Sequence, residues 1–357
     1  MVVAGASGVV GLAALEAFSA AGGWDVVGVA RRPPQVDGAV TVALDLTDEA
    51  ACRGFADAHG DTTHVVYAAL FEKTGLVPGW HEADQMQRNL MMLRNLLDPL
   101  ASSAGLEHVS LLQGTKAYGV HLHPVAVPAR ERWPRDPHEN FYWLQEDHVR
   151  ELQRSGSWAC TVFRPQVVMG GALGSNMNPI AALGAYGALL REAGEPLHFP
   201  AQPWQFVFEA VDADLLARAL LWAATAPTAR NETFNVTNGD VMTWPNVWPT
   251  IAAALGMAPG DVRPISFEAE QAAWQASWAA LVDRHGLAAP ASLEAFVGQS
   301  LTYLDFLMAV GADAPPPPAL VSTVKLRQAG FGDCADTEDM FRRWVGRLQQ
   351  ERLLPAP

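Results

Sequence analysis

The most constraining feature of this chain lies within its first dozen residues. Gly5, Gly8 and Gly11 form the run Gly-Ala-Ser-Gly-Val-Val-Gly, directly after the apolar Val2-Val3-Ala4 and directly before the amphipathic segment Leu12–Ala21. The first glycine permits a tight turn, the second lets backbone approach a pyrophosphate, and the third permits close packing of helix on strand. Ser7, Val9 and Val10 supply the rest of the loop and the first helical turn, where the positive end of the helix favours phosphate. A glycine triplet alone is weak, but one that opens a strand–helix–strand unit predicts a dinucleotide-binding fold.

The pattern beyond it agrees. Short apolar runs at Asp25–Ala30, Val40–Leu44, His64–Ala69, Val109–Gln113 and Cys160–Val168 alternate with helical segments such as Met86–Leu100. Val-rich runs separated by helices indicate a parallel sheet covered on both faces. The texture changes after about Pro165: Gly170, Gly171 and Gly174 lead into a mixed region in which Trp and Pro become frequent. Phe267–Leu307 reads as helical, with Trp274, Trp278 and Leu281 spaced to face a core. The four prolines within Ala314–Ala319 predict a stiff, polyproline-like surface connector. The expected class is therefore α/β, with a Rossmann-type doubly wound parallel sheet. Residues 1–168 are expected to form the dinucleotide-binding core. Residues 169–357 complete that core and build a smaller, mainly helical C-terminal substrate lobe.

Composition removes several function classes. The net charge of −14 argues against nucleic acid, because neutralising phosphates needs clustered Lys and Arg. Cys52, Cys160 and Cys334 are far apart and form no CxxC pair, so buried, inert thiols are expected in a reducing compartment. His121 and His123 make an HxH pair, but spacing supplies no third ligand, so no metal site is expected. The chain enters its first strand without a basic leader, and no apolar stretch spans a bilayer. A soluble, cytoplasmic protein with no membrane partner is the expectation.

Arg31 and Arg32 end the second strand, about twenty residues beyond the glycine run, where an NAD enzyme usually carries an acid. Two guanidiniums suit a ribose 2′-phosphate by charge and by their forked donors, which points to NADP(H). The alternative is a solvated basic turn before Pro33. Asp45 ends the third strand, where its carboxylate could accept from the adenine amino group while Leu46 packs on the ring. Asp also begins turns well.

Short-chain dehydrogenases usually place Tyr and Lys four residues apart on one helix. That spacing fails here, since Leu122 follows Tyr118 and Glu146 follows Tyr142 at that distance. The segments that remain are Gly114-Thr115-Lys116-Ala117-Tyr118-Gly119 and Asn140-Phe141-Tyr142-Trp143-Leu144-Gln145-Glu146-Asp147. They resemble the Gly-x-Lys-x-Tyr and Asn-Phe-Tyr…Glu-Asp motifs of the progesterone 5β-reductase/iridoid synthase family, an extended short-chain dehydrogenase group with bacterial members. Gly28–Pro33 resembles that family's NADP segment, and Asn231–Asp240 its late strand and turn.

The resemblance implies that Tyr142 is the catalytic tyrosine and that Lys116 is delivered from a strand end. Many members carry a second Tyr after the first; here it is Trp143, so the role rests on Tyr142. The cofactor channel implied on this scaffold continues through Ala68 and Ala69, Gln113 and Gly114, and Pro165 and Val167. Tyr118, Asn178, Trp204 and Phe206 are candidate substrate contacts, with an aromatic core as the competing reading for the rings.

The function implied is NADPH-dependent 1,4-reduction of enones or enals, with slower carbonyl reduction and a small enone or carbonyl compound as partner. Two other readings stay open. A sugar-nucleotide epimerase or dehydratase shares the scaffold but normally holds NAD and a Tyr-x-x-x-Lys pair. A non-catalytic NADP sensor would keep the glycine loop and tend to lose the tyrosine. A homodimer is also left open.

Overall fold

A computed structural model describes residues 1–103 and 105–357. The strands are β1 (Val2–Ala4), β2 (Val26–Ala30), β3 (Ala39–Ala43), β4 (His64–Tyr67), β5 (His108–Leu112), β6 (Ala159–Pro165), β7 (Val167–Met169), β8 (Leu197–Phe199), β9 (Ala210–Asp212), β10 (Thr233–Val236) and β11 (Pro259–Val262). The α-helices are α1 (Val9–Ala21), α2 (Glu49–Ala58), α3 (Ala83–Ala101), α4 (Phe141–Gln153), α5 (Pro179–Glu192), α6 (Ala213–Thr225), α7 (Trp244–Ala254), α8 (Phe267–Arg284), α9 (Leu293–Val297), α10 (Ser300–Leu307), α11 (Val324–Gln328) and α12 (Thr337–Gln350). Two compact units result. The first comprises Met1–Gln166, Ala213–Thr237 and Val321–Asp333, and the second the remaining residues.

The first unit is built on a seven-stranded sheet in the order β10-β6-β5-β4-β1-β2-β3. All neighbours are parallel, with Val3 opposite Gly28 on one side and Val66 on the other. Residues of β1, β4, β5 and β6 are buried on both faces, as a helix-covered parallel sheet requires. Only the edge strand β3 departs, with Val40 62% exposed. Under one face Leu93, Leu96, Leu97 and Leu100 of α3 pack with Val2, Ala4, Tyr67, Val109 and Leu111. Elsewhere in the sheet Gly28 admits Leu15 of α1: a Cβ at Gly28 would stand 2.9 Å from Leu15 Cδ2. The chain runs β1-β2-β3 outward in one direction and β4-β5-β6-β10 in the other. The order therefore reverses between β1 and β4, and the crevice beyond their carboxyl ends is where such sheets bind ligands.

In the second unit β7 pairs with β9 and β8 with β11, both in parallel. Helices α5, α8 and α10 pack on one another, as do α7 and α12. Three expectations need correction or refinement. The sixth strand does not run through to Val168: it breaks at Gln166, and β7 pairs with β9 outside the large sheet. Phe267–Leu307 is helical as expected, divided into three helices where Gly286 and Gly298 take left-handed backbone (φ 55° and 58°) and Pro290 lies between them. Trp278 and Leu281 are buried as expected, whereas Trp274 is half-buried against Tyr186 and Phe267. Finally, Cys52 and Cys160 are buried, and burial pushes their thiols up to about 11 and about 12, but Cys334 is exposed. The proline run Pro315–Pro318 adopts no regular element. Among the described residues no helix is long and apolar enough to cross a membrane.

Candidate active site

At the carboxyl end of β1 the chain turns through Gly5, whose φ of 80° favours glycine. A Cβ there would lie 2.7 Å from the backbone of Ala69, so the loops after β1 and β4 touch where the strand order reverses. At Gly11 a Cβ would meet the Gly5 carbonyl oxygen at 2.1 Å. Helix and strand can approach this closely only without side chains. Gly8 begins α1 with no side-chain cap, so the amides of the first turn, at Val9 and Val10, are left to another acceptor. Ser7 is exposed beside them. An uncapped helix end over a glycine cradle at the switch point fits a dinucleotide pyrophosphate.

Beyond β2, Arg31 and Arg32 are both exposed. The hydrogen bonds Asp45 accepts from the Thr47 amide and hydroxyl (2.9 and 2.8 Å) hold its carboxyl below the usual range, with smaller help from Arg31 and Arg88. It is thus an ionised acceptor at a turn. Leu46 is buried in the core cluster that holds Cys52 and Phe55, and its carbonyl accepts from Asn95 Nδ2 at 2.9 Å.

Tyr142 stands in the first turn of α4. Asn140 caps that helix, its Oδ1 accepting from the Tyr142 amide at 3.0 Å, which gives the Asn-Phe-Tyr order a local cause. The tyrosine is buried with Phe141, Trp143, Met86 and Ala117. Its hydroxyl reaches the extended backbone at Gly114, where a Cβ would be only 3.0 Å from the phenolic oxygen. Two residues on, a single 3-10 turn over Thr115–Tyr118 carries Lys116, closed by Gly119 at φ 75°. Helix α4 thus brings the phenol to the end of β5, and the turn that follows β5 carries the amine. Burial pulls Lys116 down to about 8, against an opposing pull from Glu72.

Glu72 had no sequence signal: it is one acid in an irregular segment after β4. Its Oε1 lies 3.8 Å from Lys116 Nζ, and Lys116 Nζ sits 3.9 Å over the Trp80 ring centre. Burial pushes Glu72 up, while Lys116, Gln85 and Trp80 favour its charged form.

Several expected site residues are also tied into the fold. Gln113 receives a bond from Arg164 Nε (2.8 Å) and donates to Glu146 (3.0 Å), so its amide is committed between strands and α4. Tyr118 donates to Asn235 Oδ1 at 2.7 Å and is buried beneath Arg164. Asn178 is 1% exposed, caps α5, and donates to the Gly170 and Ala172 carbonyls at 2.8 Å. Trp204 and Phe206 are half-buried, Phe206 stacking on Phe208 with ring centres 6.1 Å apart. Ala68 and Ala69 are half-buried at the switch point, Pro165 ends β6 with its carbonyl 3.5 Å from the Gly114 Cβ position, and Val167 is buried in β7. His123 and His138 both bond Asp136, at 2.9 and 2.8 Å, and His121 stacks on His81. Among the described residues no cluster is arranged to hold a metal.

A profile of the PRISE-like Rossmann-fold domain matches residues 56–309. Among characterised relatives, an (S)-8-oxocitronellyl enol synthase of Antirrhinum majus is 28% identical over 99% of this chain and 92% of its own. A 3-oxo-Delta(4,5)-steroid 5-beta-reductase of Arabidopsis thaliana is 32% identical over 71% of this chain and 69% of its own. In solved structures the fold resembles an NAD complex of Thermus thermophilus UDP-glucose 4-epimerase, with a TM-score of 0.66, 19% identity and 98% of each chain covered.

Proposed function

The chain belongs to the PRISE-like Rossmann-fold family, and from that premise we propose that it is an NADPH-dependent reductase of enones or enals. Reduction is at the β-carbon of the activated C=C bond, with slower carbonyl reduction. The observation that carries this reading is the delivery of Tyr142 from α4 onto Gly114, two residues before Lys116. A phenol and an amine assembled from two elements replace the one-helix pair of ordinary short-chain dehydrogenases. The names of the enol synthase and 5-beta-reductase relatives support the enone class.

The cofactor, when bound, supplies hydride to the β-carbon. Gly5, Gly8, Gly11 and the first turn of α1 would hold its pyrophosphate, and Arg31 and Arg32 its 2′-phosphate. As hydride arrives, negative charge grows on the substrate carbonyl oxygen. Tyr142 donates a hydrogen bond to that oxygen, and protonated Lys116 stabilises the developing enolate through its field. A buried site strengthens both interactions relative to water. One preorganised donor of this type contributes about 3–4 kcal/mol to the transition state. The α-carbon then takes a proton from solvent, so no dedicated acid is required.

The test is NADPH consumption with 2-cyclohexen-1-one, citral-type enals and progesterone, with products identified. Saturated carbonyl products are expected from at least one of them. Tight NADPH binding without turnover of any would overturn the reading, and a preference for NADH would defeat the role given to Arg31 and Arg32.

A further inference from the structure

Glu72 is held with more care than a loop acid needs. Gln85 and Asn89, one turn apart on α3 and 1% and 0% exposed, bond the chain on both sides of it. Asn89 accepts from the Phe71 amide at 2.8 Å and donates to the Phe71 carbonyl at 2.9 Å. Gln85 Oε1 accepts from the Lys73 amide at 2.9 Å, and its Nε2 donates to Glu72 Oε2 at 2.7 Å. Gly79 leaves room for the same clamp, because a Cβ there would crowd Gln85 Oε1. Two buried amides are thus spent on fixing one buried carboxylate, whose other oxygen faces Lys116.

We propose that Glu72 is the positioning residue of this site: its clamped carboxylate holds Lys116 as a cation between itself and the Trp80 ring. The inference rests on Lys116 acting with Tyr142. A buried ammonium without a counter-charge loses its proton readily. The carboxylate and the π-face of Trp80 both favour the charged form. The other groups facing this corner do not substitute for Glu72. His121 is pushed down to about 4 by burial and by Lys116 itself, so it is neutral at working pH. Its neighbours His81 and His138 are imidazoles, Asp136 is bonded by His123 and His138, and Tyr142 brings a phenol.

The composition makes a direct test practical. Lysine occurs only at Lys73, Lys116 and Lys325, so [13C]lysine labelling gives three side-chain titrations, assigned with K73R and K325R. In Glu72→Gln the Lys116 midpoint should fall by about 1–3 pH units relative to wild type, with the other two unmoved. The alkaline limb of the kcat profile should move down with it, lowering kcat at pH 7.5 about 3-fold for a one-unit fall and about 25-fold for two, while KM for NADPH holds. Glu72→Asp, which keeps the charge one methylene back, should fall between wild type and E72Q in both measurements. An unmoved Lys116 midpoint in folded E72Q overturns the inference; if E72Q does not fold, an unmoved midpoint in E72D does so. Should wild type reduce no enone, the proposed function fails, while the lysine titration still decides the role of Glu72.

Discussion

Replacing Gly114 by alanine probes the role proposed for Tyr142 without substituting either Tyr142 or Lys116. The new methyl would lie 3.0 Å from the Tyr142 hydroxyl oxygen and 3.5 Å from the Pro165 carbonyl oxygen. The first contact is tighter than van der Waals distance, so the phenol must retreat by a few tenths of an ångström. The backbone itself raises no objection: Gly114 is extended, with φ −173° and ψ −174°. Gly→Ala at a compatible position stabilises by about 0.4–1 kcal/mol through the unfolded state, which offsets much of the crowding. Activity has no such offset. Loss of the whole donor is expected to lower kcat about 100–1000-fold, and misplacement by about 1 Å about 100-fold. A shift of a few tenths should then lower kcat roughly 10–100-fold, with the melting temperature moved by no more than about 4 °C. The assay is enone reduction in G114A, Y142F and the double variant, with thermal unfolding in parallel. If the methyl acts through the phenol, the double variant is no slower than Y142F, since residues in contact are not additive. Wild-type turnover in folded G114A, or effects that simply multiply in the double variant, would refute the placement of Tyr142.

Tyr142→Phe alone should show a large fall in turnover with little change in NADPH affinity by fluorescence titration; wild-type rates would remove its role. Arg31→Ala with Arg32→Ala should weaken NADPH binding about 10-fold or more and leave NADH nearly untouched, because only the former carries the extra phosphate; equal losses would point to a solvated turn. Gly11→Ala places a methyl 2.1 Å from the Gly5 carbonyl, so cofactor binding by calorimetry should be lost, and retained affinity would contradict the close approach of α1 to β1. Lys116 gives two pH effects of opposite sign. Its amine is pulled from 10.5 to about 8, so activity that needs the cation should fall as pH rises through about 8. Between about 8 and 10.5 the unfolded chain holds this proton and the folded chain does not, so this group's contribution to stability rises with pH. Denaturation across that window, compared with Lys116→Met, checks the sign.

The sequence by itself determined the sheet and its cofactor end. A strand of two valines and an alanine, three glycines at fixed spacing and a helix allow few alternatives, because Gly11 packs against the Gly5 carbonyl within the first dozen residues. Asn140 is legible in the sequence only as part of a family motif, and the structure shows it as a local helix cap. Tertiary structure decided what depends on meetings between distant segments. It tied Gln113, Tyr118 and Asn178 into the fold, since their partners, Arg164 and Glu146, Asn235, and Gly170 with Ala172, are set by strand and loop packing. It broke the sixth strand at Gln166, because β7 found a partner in β9. It also placed Glu72 beside Lys116, 44 positions apart in sequence. No periodicity or spacing encodes that pair. Adjacency of β4 and β5 in the sheet brings their trailing segments together, and α3 then fixes the acid in place.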